Sequence, residues 1–217
     1  MGALQLLRQN RAFRSLWFAR VISFAGDSLS LVALMLHVAS TTGQALAVSL
    51  LLLAGDFAPA LLSPLTGAIS DRFNLKRVMI SCELLQGALL LLIALAMPPL
   101  PLLLVLVAAR AIAGHVFLPA SRAAVPALVP GDTLETANST LGFGTNASEA
   151  LGPLLAAALF PLVGIRGVLL ADAASFLVSA ALLASVPSLP PASSGEKALS
   201  FEVTDIQPHF QCTSPYA

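Results

Sequence analysis

The chain has 217 residues, 57% of them hydrophobic and only 10% charged. Lys plus Arg and Asp plus Glu number 11 each, so the net charge is zero and no basic field gathers polyanions such as nucleic acid. Ordinary soluble domains are about a quarter charged, so this composition, with a mean hydropathy of +0.88, excludes a soluble globular domain and a disordered chain.

In chain order, residues 1–20 form a basic amphipathic segment carrying Arg8, Arg11, Arg14 and Arg20. It lacks the cleavage site of a secretory signal and reads as a cytoplasmic lead-in. Six apolar runs follow, at 21–39, 45–69, 78–97, 102–120, 141–163 and 168–186. The first is closed by Thr41-Thr42-Gly43, the second by Asp71-Arg72, the third by Pro98-Pro99, and the fifth by Gly164-Ile165-Arg166-Gly167. Pro187 and Pro190-Pro191 end the last. A membrane-spanning helix needs about 20 mostly apolar residues, so six spans absorb nearly all of the roughly 124 hydrophobic side chains. Backbone polar groups in hydrocarbon must be satisfied within their own segment, which favours helices. The runs are too long, and do not alternate as barrel strands do. The reading is an all-α membrane protein, with a six-helix bundle over residues 21–190.

Arg72, Lys76 and Arg77 follow the second run, Arg122 the fourth and Lys197 the sixth, whereas the other side carries only Arg166. The positive-inside rule then puts both termini in the cytoplasm of a multi-pass protein of the cell (inner) membrane. Residues 191–217 read as a polar cytoplasmic tail without a packed core, with at most a small element near 199–203. Cys82 and Cys212 are too few for a disulfide framework or a thiolate metal site. No metal or cofactor is expected.

Every run holds an ionisable residue: Asp27 and His37, Asp56, Glu83, Arg110 and His115, Glu149, and Asp172. A charge at the centre of a spanning helix costs about 2.5–3.5 kcal/mol, so these groups are expected to face a bundle interior or a watery path. Asp27, Asp56, Arg110 and Glu149 lie deepest and are the candidates for path lining or ion pairing. An Arg110–acid pair would neutralise both partners, and an unpaired acid would be free to carry a proton. Glu83 is expected to reach Arg77 or interfacial water, Asp172 to cap the sixth helix, and His37 and His115 to pack or hydrogen-bond. Gly142, Gly144, Ser148, Gly152, Ala156 and Ala157 permit close helix packing along the fifth run, and Pro153 is expected to kink it. A rocking helix and simple close packing are both consistent with that pattern.

The loop from Gly67 through Asp71-Arg72 to Lys76-Arg77 resembles the Gly-x-x-x-Asp-Arg signature between the second and third helices of the major facilitator superfamily. Asn74 stands at the family's second glycine, and Asn is the best non-glycine at positive φ. An ordinary positive-inside loop is the plain alternative. Arg110-Ala111-Ile112-Ala113-Gly114 resembles the family's fourth-helix Arg-x-x-x-Gly element, and 148–157 its fifth-helix antiporter element, with Ser148, Gly152 and Pro153 in step. Residues 10–190 together resemble the enterobactin-exporter and macrolide-efflux subgroup.

The resemblance implies one half of a twelve-helix fold, built from two inverted three-helix repeats. It implies a gating loop at Gly67, Asp71, Arg72, Lys76 and Arg77, and proton coupling at Arg110. The expected function is proton-coupled export of a small organic compound, a drug or siderophore, by alternating access. The expected partners are the lipid bilayer, the substrate, protons, and a second six-helix half or a homodimer partner. The alternative is a truncated, inactive product or a non-transporting scaffold. An intramembrane serine protease is disfavoured because no Gly-x-Ser-x-Gly element occurs.

Overall fold

The computed structural model describes residues 2–61, 72–189 and 191. Among these the regular elements are all helical: α1 (Ala3–Gln9), α2 (Arg11–Thr42), α3 (Ala45–Leu61), α4 (Leu75–Ala96), α5 (Leu100–Ala123), α6 (Val125–Leu128), a single 3-10 turn (Gly131–Thr133) and α7 (Leu134–Ala184). The tail from Ala192 onward, with Cys212, lies outside the described residues.

Local chemistry sets the helix ends. Asn10 caps α2 by accepting the Phe13 N–H at 2.9 Å, and its amide donates to the Leu128 carbonyl at 2.6 Å. A side-chain oxygen at this position satisfies a donor that a helix start leaves unpaired. The helix therefore begins at Arg11, and much of the basic lead-in is the first turns of α2. At the other end Gly43 takes the left-handed conformation (φ +63°) and donates its N–H to the Ala39 carbonyl. The chain then doubles back into α3. Asn74 caps α4 through the Arg77 N–H at 3.3 Å, with φ −59°. Positive φ is thus not the reason for Asn here; its side-chain oxygen is. Met97 ends α4 with φ 43°, and Pro99 leads into α5.

Helix α7 joins the fifth and sixth expected runs. Dihedrals stay helical through Pro153 and Pro161, and the one non-helical residue inside is Gly164 (φ 64°, ψ −178°). The break therefore falls at Gly164, the first residue of the Gly164-Ile165-Arg166-Gly167 segment expected to close the fifth run. Contacts with α2 show what the break does. In the first arm, Trp17 Nε1–H donates to the Thr140 carbonyl at 2.9 Å, and the Ser148 hydroxyl donates to the Val21 carbonyl at 3.0 Å. The numbers rise together, so that arm runs parallel to α2. In the second arm Ser185 meets Ser15 at 3.1 Å, while Gly26 abuts Asp172 and Ser175, so the numbers run oppositely. The chain reverses at Gly164.

Four helices among the described residues are long and apolar enough to cross a membrane, and the one over Gly131–Ala184 contains both arms. With α3 this accounts for the six expected runs. Arg20 meets Ser121, and Gly114 abuts Gln86, so α5 runs against both α2 and α4. Lys76 meets Ala184, and Gly87 abuts Phe176, so α4 runs against the second arm and with α2. The triplets α2–α3–α4 and α5–first arm–second arm thus traverse the bundle in opposite senses, an inverted pair of three-helix repeats.

Among the described residues a small apolar cluster joins Leu29, Ala33, Ala156 and Val168, and two large ones form the rest of the core. One gathers Phe13, Leu16, Met79, Phe117 and Leu183, and the other Leu34, Leu90, Ile93, Leu103 and Phe176. Between them lies a polar layer containing Ser23, Ser30, Glu83, Arg110 and Asp172, all buried. Many leucines, among them Leu95, Leu154 and Leu162, point outward, which suits a bilayer.

The seam between α2 and the first arm depends on missing side chains. A Cβ at Gly144 would lie 2.7 Å from Val21 Cγ2, and one at Gly152 would collide with Ser28 Cβ. Overpacking a close seam costs about 1–3 kcal/mol. Gly152→Leu is expected to lower thermal stability in detergent by this amount, whereas Gly142→Leu, with nothing within 4 Å of its Cβ position, should be tolerated. Equal melting shifts for both variants would contradict the seam.

Candidate functional site

The polar layer is organised around one guanidinium. Arg110, near the middle of α5, donates from Nη1 to Asp27 Oδ1 at 2.7 Å, to Ser30 Oγ at 3.2 Å and to Asp172 Oδ2 at 3.4 Å. These contacts draw together α2, α5 and the second arm of α7. Charges in a low dielectric must be paired and hydrogen-bonded to be tolerable, and here one cation serves two acids. The acids are not equivalent. The Asp172 side chain is 0% exposed and also accepts from the Ser175 hydroxyl at 3.1 Å, whereas that of Asp27 is 33% exposed. Asp172 is thus a fixed interior partner of Arg110 and does not cap a helix. Its approach to α2 is possible because residue 26 is glycine: a Cβ there would run into Asp172 and Ser175.

The exposed side of Asp27 opens into a cavity of about 360 Å³. Asp27, Asp56, Arg110 and Glu149 all line it, together with Gln86, Gly114 and His115. Four residues chosen for their depth in separate apolar runs therefore face one space. Gly114 makes room for Gln86, whose Oε1 would be 3.1 Å from a Cβ at that position. Gln86, Ser30 and the glycine at 26 were not legible as site residues; only their spacing from the ionisable positions hints at them. Ser148 lies behind the cavity wall, donating to Val21 and Gly144 carbonyls.

Glu83 sits elsewhere. It is 0% exposed, and both carboxyl oxygens lack a hydrogen-bond partner. Ser179 and Ser23 flank it without reaching hydrogen-bond geometry. The expected contact with Arg77 or interfacial water does not form, because the side chain turns inward from α4.

Of the expected gating loop, Gly67 and Asp71 lie outside the described residues. Arg72 and Arg77 are exposed. Lys76 donates to the Ala184 carbonyl at 2.7 Å and the Val186 carbonyl at 2.6 Å. It satisfies carbonyls that the end of α7 leaves open, so its half-buried ammonium is held against that end. Among the described residues no group of His, Cys, Asp and Glu is placed to hold a metal ion.

Comparison with known proteins gives a consistent result. The family model described as Major Facilitator Superfamily matches residues 16–212. The chain is 28% identical over 183 residues to YfiS, an uncharacterized MFS-type transporter of Bacillus subtilis (strain 168), covering 84% of the chain and 44% of that protein. It is 24% identical over 178 residues to macrolide efflux protein A of Streptococcus pyogenes, covering 80% and 44%. A crystal structure of peptide transporter POT in complex with alafosfalin superposes with a TM-score of 0.69 at 18% identity, over 95% of this chain and 49% of that one. The chain spans about half the length of the relatives it matches.

Two substitutions separate the paired charge from the unpaired one. Arg110→Leu strands the buried Asp172 and is expected to cost about 3–5 kcal/mol. Glu83→Met removes an acid with no hydrogen bond to lose, and should be neutral or stabilising. Thermal unfolding of the purified chain in detergent measures both. A mild Arg110→Leu beside a severe Glu83→Met would refute this account of the polar layer.

Proposed function

The chain belongs to the major facilitator superfamily, and from that premise we propose that it is a six-helix half of a proton-coupled exporter of a small organic compound. The carrying observation is the single cavity that gathers Asp27, Asp56, Arg110 and Glu149. Its volume lies near the lower end of small-molecule sites, about 300–1,000 Å³. Export as the direction rests on the likeness to macrolide efflux protein A and on the Ser148, Gly152 and Pro153 element.

Each charged group has a role in this reading. Asp27 is the solvent-facing member of the pair and exchanges its proton with cavity water. Protonation removes its charge, and Arg110 then rests on Asp172 alone. That change in pairing biases α2 against α5 and α7, and binding energy that differs between two states is what shifts their populations. Asp56 and Glu149 face the same space and recognise a cationic or hydrogen-bonding substrate. Gly114 and Gly152 keep neighbouring helices close enough for the change to be felt. The loop of Gly67, Asp71, Arg72, Lys76 and Arg77 latches the closed state, with Lys76 joining α4 to the end of α7. The termini are cytoplasmic in a cell membrane.

A cavity between two halves needs both walls. The second wall is a further six-helix half or another copy of this chain. In proteoliposomes, macrolide flux driven by a pH gradient is expected when such a partner is present and not with the chain by itself. Asp27→Asn should abolish gradient-driven flux while leaving exchange of labelled for unlabelled substrate. Glu149→Gln should weaken binding, and Arg110→Lys should reduce both. Unaltered flux in all three variants would remove these assignments.

A further inference from the structure

A second cavity, of about 450 Å³, lies along the same three helices and has the opposite chemistry. Arg20 of α2, Arg122 at the end of α5 and Asn138 of α7 line it. Arg20 is about one turn from Phe24, and Arg122 one turn from Leu118, both of which line the first cavity. The two spaces are therefore stacked along α2, α5 and the first arm of α7. Three acids line the first beside Arg110 and His115, whereas two arginines and no acid line the second.

Arg20 is an unusual group to leave without a counter-ion. It is only 5% exposed. One amino group donates to Ser121 Oγ at 3.3 Å, and the guanidinium lies 5.5 Å from the Phe24 ring centroid. Its Nε–H is buried without a partner. Arg122 stands within electrostatic reach and opposes it; Glu149 also lies within reach but forms no ion pair with it. Among the described residues neither arginine has a carboxylate at ion-pairing distance. A buried guanidinium is tolerable when paired and costly otherwise. A fold that holds one buried guanidinium, Arg20, beside an open space that the exposed Arg122 also lines has prepared for a negative charge brought from outside.

We propose that this cavity is an anion site that takes a phosphate group between Arg20 and Arg122. Planar guanidinium forks suit phosphate oxygens in bidentate contact. The Asn138 amide adds a neutral donor, and Leu141 and Gly142 supply an apolar floor. The phosphate comes either from a lipid headgroup or from a free anion. The site stands independently of the transport reading, since it needs neither a second half nor flux.

The chain carries its own reporter. Trp17 is the single tryptophan. It precedes Arg20 by about one turn, and its Nε1–H is bonded to the Thr140 carbonyl, two residues from Asn138. The full chain in a zwitterionic detergent is titrated with inorganic phosphate, and separately with phosphatidylglycerol against phosphatidylcholine, at matched ionic strength. A saturable change in Trp17 fluorescence is expected with at least one of the two anionic probes and not with phosphatidylcholine. Response to inorganic phosphate marks a free-anion site; response to phosphatidylglycerol alone marks a headgroup site. The exposed Arg122→Gln variant keeps its fold and should raise the half-saturation point about tenfold, and Arg20→Gln should remove the response. No saturable change with either anionic probe overturns the proposal, as does a response that Arg122→Gln leaves in place unshifted.

Discussion

One compensated charge governs this bundle. Arg110 lies between two apolar clusters, where an uncompensated guanidinium is not tolerated, and its partners come from two other helices. Asp27 arrives on α2 and Asp172 on the second arm of α7, at 2.7 Å and 3.4 Å. Meeting both requirements fixes the rotation of three helices about their axes and their relative heights. The hydrophobic clusters supply cohesion, and the ion pair adds a directional contact with a defined register. Its dependence on glycine at position 26 is part of the same constraint, since a side chain there would push Asp172 away from Arg110.

The second consequence of charge is its segregation. Acids collect in the cavity beside Arg110, while Arg20 and Arg122 collect one turn farther along. Asp27 faces the first of these spaces, while Asp172 is enclosed. The unequal exposure of these two acids separates a position that exchanges with solvent from one that holds the structure. Glu83 lies apart, buried and unbonded, and takes no part in the cavity wall.

Apolar run length made six passes legible, because a bilayer imposes a minimum length on every span. Turn residues were readable for the same local reason: Gly43 and the Pro98-Pro99 break fall where the helices end. Depth within a run was enough to select Asp27, Asp56, Arg110 and Glu149, and all four face the cavity. What depth does not encode is the angle at which a side chain leaves its helix. Asp172 lies close to the end of its run and reads as a cap, yet it points inward to Arg110. Glu83 reads as near an edge, yet it turns into the core. Asn74 was legible as special for the wrong reason, since a cap and a positive-φ position favour the same residue. Gly164 was readable in the same way as Gly43, since the Gly164-Ile165-Arg166-Gly167 segment closes the fifth run and the chain reverses there, while Pro153 keeps helical dihedrals.

The reversal at Gly164 has a consequence measured in length. Helix α7 contains 51 residues, and at about 1.5 Å per residue it would extend roughly 76 Å if straight. That is more than twice the hydrocarbon thickness of about 30 Å. A single rod of this kind has no place in a bilayer, so its apolar arms must enter as a hairpin and fold back on each other. The φ of one residue therefore decides whether Leu134–Ala184 is two membrane helices or a segment too long for any membrane.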